Sequence, residues 1–227
     1  MADNWELMYW PLAGRGEFIR VIFVEAGIEF KDTDDSKVIT EKVKEGKMEG
    51  FPVKFPPVLC NGDFHLSQTP TICKYLGKKF GLYPDNEDDE WHADQLNATI
   101  HDYIAEGRLS FHGVNHIMTY FNQIEETKPY IERFVTERMP MWLKYFEKVL
   151  LANNGGTGFM FGNKLTYVDL GLMHVLRATE SQFPDAWNDA DYIPTLKSFK
   201  DRMCSRPRLA AYFKSDKCRP FEGNSMM

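Results

Sequence analysis

Apolar residues recur with two different periods along this chain, and the period changes near residue 84. Trp5-Glu6-Leu7-Met8-Tyr9-Trp10 alternates and is rich in aromatics, which predicts a short strand ending at Pro11. From Glu17 to Ala26 the apolar positions Phe18, Ile19, Ile22, Phe23 and Ala26 have helical spacing, and Gly27 suits the position after a helix end. Ile28 to Asp32 supplies a second strand, and a strand-helix-strand unit favours a parallel pair. After a polar stretch from Asp34 to Lys54 come Pro56-Pro57-Val58-Leu59-Cys60, Asn61-Gly62, and Asp63-Phe64-His65-Leu66. Two short apolar runs around Asn-Gly predict a hairpin turning at Asn61-Gly62, because both residues tolerate positive φ. Thr69 then reads as an N-cap with Pro70 at the first helical position of a helix over 70–80.

Gly81-Leu82-Tyr83-Pro84-Asp85-Asn86 and the acids that follow predict a domain boundary, giving domains 1–83 and 84–227. The acids Glu87 to Glu90 suit the start of a long helix, where negative charge complements the dipole. Beyond the boundary strand signals fade. Trp91, Leu96, Ile100, Tyr103 and Ile104 continue at helical spacing, and a second helix over 128–151 is expected to kink at Pro140. Thr166-Tyr167-Val168-Asp169 has the layout of a capping box with Asp in place of Glu. The expected fold is therefore α/β followed by all-α, with strand and helix order β-α-β-α-β-β-α in the first part, the order of a thioredoxin-like domain, and a helical bundle in the second.

Composition narrows the function. The 227 residues are 43% hydrophobic and 26% charged, as in ordinary globular proteins. A net charge of -6 argues against a nucleic-acid partner, which would need a basic face. The start, Met1-Ala2-Asp3-Asn4-Trp5-Glu6, lacks the basic and apolar regions of a secretory signal, and no apolar run reaches the length of a membrane span, so a cytoplasmic protein is expected. Cys60, Cys73, Cys204 and Cys218 form no CxxC and no metal spacing, so neither a metal nor a dithiol is expected.

Two places carry candidate chemistry. The helix starting near Thr69 aims unsatisfied N–H groups and partial positive charge at the proline loop, which suits a carboxylate or phosphate. In the loop Pro11–Gly16, where a thioredoxin-like domain would carry a redox cysteine, there is none. That loop instead follows Tyr9 and contains Arg15. A phenol with a pKa of about 10 stays protonated at neutral pH and donates a hydrogen bond, which would favour the thiolate of a facing thiol at about 1.4 kcal/mol per pKa unit. A tyrosine ending an aromatic strand is more often a packing residue, and the residues alone leave both readings open.

Taken together, Tyr9-Trp10-Pro11-Leu12-Ala13-Gly14-Arg15, Phe55-Pro56-Pro57-Val58-Leu59, Leu66-Ser67-Gln68-Thr69-Pro70-Thr71-Ile72-Cys73-Lys74-Tyr75-Leu76 and Gly162-Asn163-Lys164-Leu165-Thr166-Tyr167-Val168-Asp169 resemble the cytosolic glutathione transferases of the tyrosine-dependent kind. The resemblance implies an enzyme that adds the glutathione thiolate to small hydrophobic electrophiles, with glutathione as co-substrate, no other cofactor, and a homodimer. By the same resemblance Tyr9 would meet the sulfur with Arg15 nearby, and Pro57 would be the family's cis proline. Pro56 would lie along the cysteinyl backbone, and Gln68 and Thr69 would hold the γ-glutamyl carboxylate. Lys47, or its rival Lys44, would meet the glycyl carboxylate, and Asp102 would reach the γ-glutamyl amine of a neighbouring subunit.

Three positions depart from the family pattern. Ala13-Gly14 replaces the frequent Arg-Gly, and Val53 stands where some classes insert an aromatic into the partner, with Phe51 close by. Pro56 replaces an apolar residue whose N–H would bond the tripeptide, a loss of roughly 0.5–1.5 kcal/mol. Trp10, Leu12, Phe111, His112 and Asn115 are the expected electrophile pocket, with Phe213 or Phe221 closing it. Alternatives that share the fold are a glutathione-dependent isomerase or peroxidase, and a non-catalytic ligand-binding or structural protein.

Overall fold

The computed structural model describes residues 4–221. Contacts divide the chain after Tyr83 into two compact units, and they also return Pro207–Pro220 to the first unit, a segment that the sequence reading placed in the helical domain.

The first unit is built on β1 (Trp5–Met8), α1 (Gly14–Ala26), β2 (Lys31–Thr33), α2 (Ser36–Ile39), β3 (Val58–Asn61), β4 (Phe64–Ser67), α3 (Thr69–Lys79) and α10 (Pro207–Phe213). The strands lie in the order β2-β1-β3-β4, with β1 and β2 parallel and the other neighbours antiparallel. Alternation along β1 sorts its side chains between two faces. Trp5 and Leu7 face helical aromatics: the Trp5 ring lies 5.8 Å from Phe23 of α1 and 6.3 Å from Tyr75 of α3. Met8 faces the other way, into a cluster with Val58, Cys60, Ile39 and Val43, the last on the π-helical turn that extends α2 over Thr40–Lys44.

Local chemistry moved several boundaries. Gly27, with φ 70°, ends α1, and only Lys31–Thr33 pair with β1, so β2 starts three residues later than the periodicity suggested. The hairpin turns at Gly62-Asp63, one residue beyond Asn61-Gly62. Asn61 is a strand residue paired with both Trp5 and Phe64, and positive φ is needed at Gly62 (60°) in the first turn position, as in a type II′ turn. Likewise Gln68 is the N-cap of α3 and Thr69 its first residue.

The second unit contains α4 (Glu87–His112), α5 (Ile124–Arg133), α6 (Met139–Ala152), α7 (Tyr167–Gln182), α8 (Pro184–Asn188) and α9 (Pro194–Cys204). Helix α7 is its axis, buried almost without interruption from Tyr167 to Thr179 and packed against both α4 and α9. It starts at the capping box expected from the sequence: Asp169 accepts from Thr166 N–H and Oγ1, each at 2.8 Å, and from Met160 N–H at 2.7 Å. Burial pushes the Asp169 carboxyl up to about 6, against those hydrogen bonds, which favour its charge. The kink expected at Pro140 corresponds to a π-helical turn over Phe134–Arg138, shortly before that proline, through which helical backbone continues from α5 into α6. Pro140 is the second residue of α6, directly after the π-helical turn.

Candidate active site

Tyr9 follows directly on β1, its N–H bonded to Thr33 O at 3.1 Å and the residue only 4% exposed. The chain then turns through Pro11–Ala13 into α1, and the Arg15 N–H donates to the Tyr9 hydroxyl at 3.0 Å. A phenol oxygen that accepts from a backbone N–H donates its own proton more strongly, because the accepted bond stabilises the negative charge it gains. Two glycines make room for the ring. A Cβ on Gly14, which has φ 43°, would stand 2.7 Å from the Tyr9 oxygen, and one on Gly16 would stand 2.5 Å from Cδ1.

The second cluster lies at the start of α3. The Pro56–Pro57 peptide bond is cis, and Val58, the first residue of β3, follows at once. Gln68 is exposed and holds φ 73°, ψ 105°, a left-handed conformation that costs a residue with a Cβ about 1–3 kcal/mol. The first bond of the turn runs from Ile72 N–H to Gln68 O at 3.0 Å, so the amides of Thr69 and Thr71 have no intrahelical acceptor. Thr69 itself is buried, and Gln68 stands exposed beside it, so a carboxylate at this end would meet an amide side chain and helix-end N–H groups.

The two candidate lysines are both engaged. Lys47 is exposed and pairs with Glu41 at 3.0 Å and Glu45 at 3.2 Å, and hydrogen bonds to those carboxylates hold its pKa above the ordinary value. Lys44 lies 5.0 Å above the Trp10 ring. Trp10 and Leu12 are half-buried, and the Leu12 N–H bonds Trp10 O at 2.8 Å.

In the second unit Asp102 is exposed on α4. Phe111 is a core residue, its ring 5.1 Å from Tyr120 and 5.9 Å from Phe183. His112 shares its Nδ1 with Met118 O at 2.9 Å, and burial, with the charges of Arg108 and His116, lowers its pKa. Asn115 turns its side chain into its own loop, where Oδ1 accepts from the N–H groups of Ile117 and Met118. Phe213 belongs to the first unit, in ring contact with Tyr212, whereas Phe221 stacks on His174 in the second.

Among the described residues no group of His, Cys, Asp and Glu is placed to hold a metal, and no helix is long and apolar enough to cross a membrane. Burial pushes the Cys60 thiol up to about 11, raises Cys73 further, and raises Cys204 as well. The residue that sequence reasoning missed is Arg20. It is fully buried, its guanidinium carbon 5.9 Å from the Tyr9 ring centre. The available signal was the surrounding run Phe18-Ile19-Arg20-Val21-Ile22-Phe23, in which so many apolar neighbours leave no solvent-facing stripe for a charge.

The chain is similar to known proteins over most of its length. Residues 111–216 match the family model described as "Glutathione S-transferase, C-terminal domain". The chain is 30% identical to a glutathione S-transferase of Plasmodium falciparum over 96% of its own length and 98% of the relative. It is 32% identical to glutathione S-transferase P 10 of Caenorhabditis elegans, covering 93% and 91% of the two chains. Among solved structures, the pi-class enzyme of Onchocerca volvulus superposes with a TM-score of 0.75 at 25% identity, covering 92% of this chain and 91% of that one. The glutathione S-transferase of Ascaris lumbricoides gives 0.75 at 26%, covering 92% and 96%.

Proposed function

Since the chain belongs to the glutathione S-transferase family and conjugates glutathione, we propose that Tyr9 activates the thiol in that reaction and that a small hydrophobic electrophile receives it. The observation that carries this reading is the Tyr9 side chain, its ring edge set against Gly14 and Gly16 and its hydroxyl accepting from the Arg15 N–H. The Tyr9 O–H donates to the glutathione sulfur and favours the thiolate, the thiol proton passing to solvent. The sulfur lone pair then forms the new C–S bond while the leaving group departs with the bonding electrons, both reactants being held at near-attack distance. Arg15 adds positive charge beside the sulfur.

Gln68, Thr69 and the first turn of α3 receive the γ-glutamyl carboxylate. Pro57 and Pro56 border the cysteinyl backbone, with Pro56 able to accept but not to donate. Lys47 or Lys44 meets the glycyl carboxylate once released from its present partner. Asp102 is the candidate acid for the γ-glutamyl amine of a second subunit, and the active species is a cytoplasmic homodimer. Trp10 and Leu12, half-buried beside Tyr9 in sequence, are the first-unit candidates for the electrophile pocket. Thiol-disulfide exchange is disfavoured, because the loop after β1 carries no cysteine and burial keeps the Cys60 and Cys73 thiols protonated.

The test is conjugation of glutathione to an aryl halide by wild type and Tyr9→Phe. Loss of one charge-assisted hydrogen bond, about 1.5–3 kcal/mol, predicts a roughly 10- to 100-fold lower kcat. Equal rates would remove Tyr9 from the mechanism. Sedimentation at micromolar concentration checks the dimer.

A further inference from the structure

Arg20 is an expensive residue to bury, and what it touches explains why the position is charged. Its Nε donates to Asp32 Oδ2 at 2.8 Å and its Nη2 to Asp32 Oδ1 at 3.4 Å, with Glu17 Oε2 at 3.4 Å from Nη1. The same Nη1 donates to two backbone carbonyls of the loop after β1, Leu12 O at 3.0 Å and Ala13 O at 3.2 Å. Burial opposes the charge, and Asp32 and Glu17 outweigh it, so the guanidinium pKa lies above its ordinary value. Stability alone is a weak reason for such a group, since well-packed apolar residues often replace a buried ion pair without loss. An apolar side chain, however, cannot hold two carbonyls.

The segment that returns from the end of the chain completes the arrangement. Helix α10 packs on α1. Tyr212 donates to Glu17 Oε2 at 3.1 Å, and burial together with the Glu17 charge keeps that phenol protonated. Arg219 pairs with Asp34 at 2.6 Å and stands 3.6 Å from Asp32. Pro220 O accepts the Ala13 N–H at 3.1 Å. Ala13 is thus held through both of its backbone polar groups: by Pro220 on its N–H, and by Arg20 and the Glu17 N–H on its carbonyl. Two residues further on, the Arg15 N–H points at the Tyr9 hydroxyl.

We propose that Arg20 is a positioning residue for the conjugation reaction, and that the strap Pro207–Pro220 is its support. Together they fix the Leu12–Ala13 peptide so that the Arg15 amide stays aimed at Tyr9. The inference rests on the reading of Tyr9 as the thiol-activating group. It requires that disturbing the clamp change thiol activation while leaving the tripeptide's anchors at α3 untouched. Arg20 makes no contact with substrate; its influence passes through the loop.

The experiment measures the pKa of enzyme-bound glutathione from the ultraviolet absorbance of its thiolate against pH, with kcat and the glutathione Kd, for wild type, Tyr9→Phe, Arg20→Lys, Tyr212→Phe and Arg219→Met. Lysine keeps the charge and loses the fork, so Arg20→Lys separates geometry from electrostatics. Expected are a rise of about one unit in the bound thiol pKa and a kcat about tenfold lower at neutral pH for Arg20→Lys, with Kd within twofold. Tyr212→Phe and Arg219→Met should give smaller shifts in the same direction, about threefold in kcat, and they carry the test if Arg20→Lys does not fold. The double variant Tyr9→Phe/Arg20→Lys should show no shift beyond Tyr9→Phe. If Tyr9→Phe raises the thiol pKa and the clamp variants do not, or if the double variant shifts further than Tyr9→Phe, the positioning role falls and Tyr9 keeps its place. If Tyr9→Phe leaves the pKa unchanged, both fall.

Discussion

Replacing Gly16 by alanine puts a methyl carbon 2.5 Å from Tyr9 Cδ1, 2.9 Å from Cγ and 3.1 Å from Arg20 Nη1. Carbon atoms settle at about 3.5–4.0 Å, so the ring must withdraw by roughly 1 Å. Gly14 borders the same edge of the ring, where a Cβ would stand 3.1 Å from Cε1, so the ring gains no room by sliding along that edge. Two effects then compete in stability. Alanine is favoured over glycine by at most about 0.5–1 kcal/mol at Gly16, in the first turn of α1, whereas overpacking costs typically 1–3 kcal/mol. The net is a loss of roughly 0–2 kcal/mol, small enough for Gly16→Ala to fold. Activity should suffer more. The Arg15 N–H to Tyr9 bond, 3.0 Å long, would stretch past 3.5 Å if the ring retreats by that amount, and the hydroxyl would leave its position opposite the sulfur. Misplacement of about 1 Å can cost on the order of 100-fold in rate, so we expect kcat with an aryl halide to fall 10- to 100-fold with little change in the glutathione Kd. A double-mutant cycle with Tyr9→Phe provides the discriminating assay. Because Gly16→Ala acts through the ring, the two losses should overlap rather than add. A fully active Gly16→Ala, or strictly additive losses, would refute the reasoning.

Three further outcomes follow from single residues. Gln68→Gly should be about 1 kcal/mol more stable than Gln68→Ala in thermal unfolding, since only glycine escapes the cost of φ 73°, while both lose retention on immobilised glutathione. Pro56→Val restores a backbone N–H along the cysteinyl backbone and should tighten glutathione about 2- to 10-fold by calorimetry, the equivalent of one hydrogen bond of 0.5–1.5 kcal/mol. Asp169→Ala strands the buried amides of Met160 and Thr166, a loss of about 2–6 kcal/mol measurable by urea unfolding. The pH dependence of that carboxyl has a defined sign: its pKa rises from 3.8 to about 6 on folding, so its contribution is fully present below pH 3.8 and is lost as pH rises through about 6. The stability difference between wild type and Asp169→Asn should therefore shrink between pH 4 and 6, and a flat difference would count against it.

What the sequence made legible was whatever depends on neighbours three or four residues apart. The capping box at Thr166 and Asp169 is such a feature, since both of its bonds close within one turn. The start of α3 was misjudged by one residue for an equally local reason: proline fits either of the first two helical positions, so Pro70 marks the helix end without fixing which residue caps it. Apolar spacing told that Phe111 would be buried but not against what, and its partners Tyr120 and Phe183 make it core. The clamp around Tyr9 was illegible for a stronger reason. Arg20 finds Asp32 on the next strand, beyond the end of its own helix, and Glu17 finds Tyr212 almost two hundred residues later, so neither contact closes within one helical turn.

The same logic bears on Gly14 and Gly16. Read locally, each is a loop or helix-start glycine with no particular duty, and alanine at Gly16 would pass as an improvement. Their need appears only when β1 delivers the Tyr9 ring against them. A reactive side chain set against two missing Cβ atoms and one backbone N–H leaves few marks in sequence, because two of its three constraints are absences. It follows that substitutions which look conservative here, glycine to alanine or arginine to lysine, should be the ones that separate folding from catalysis.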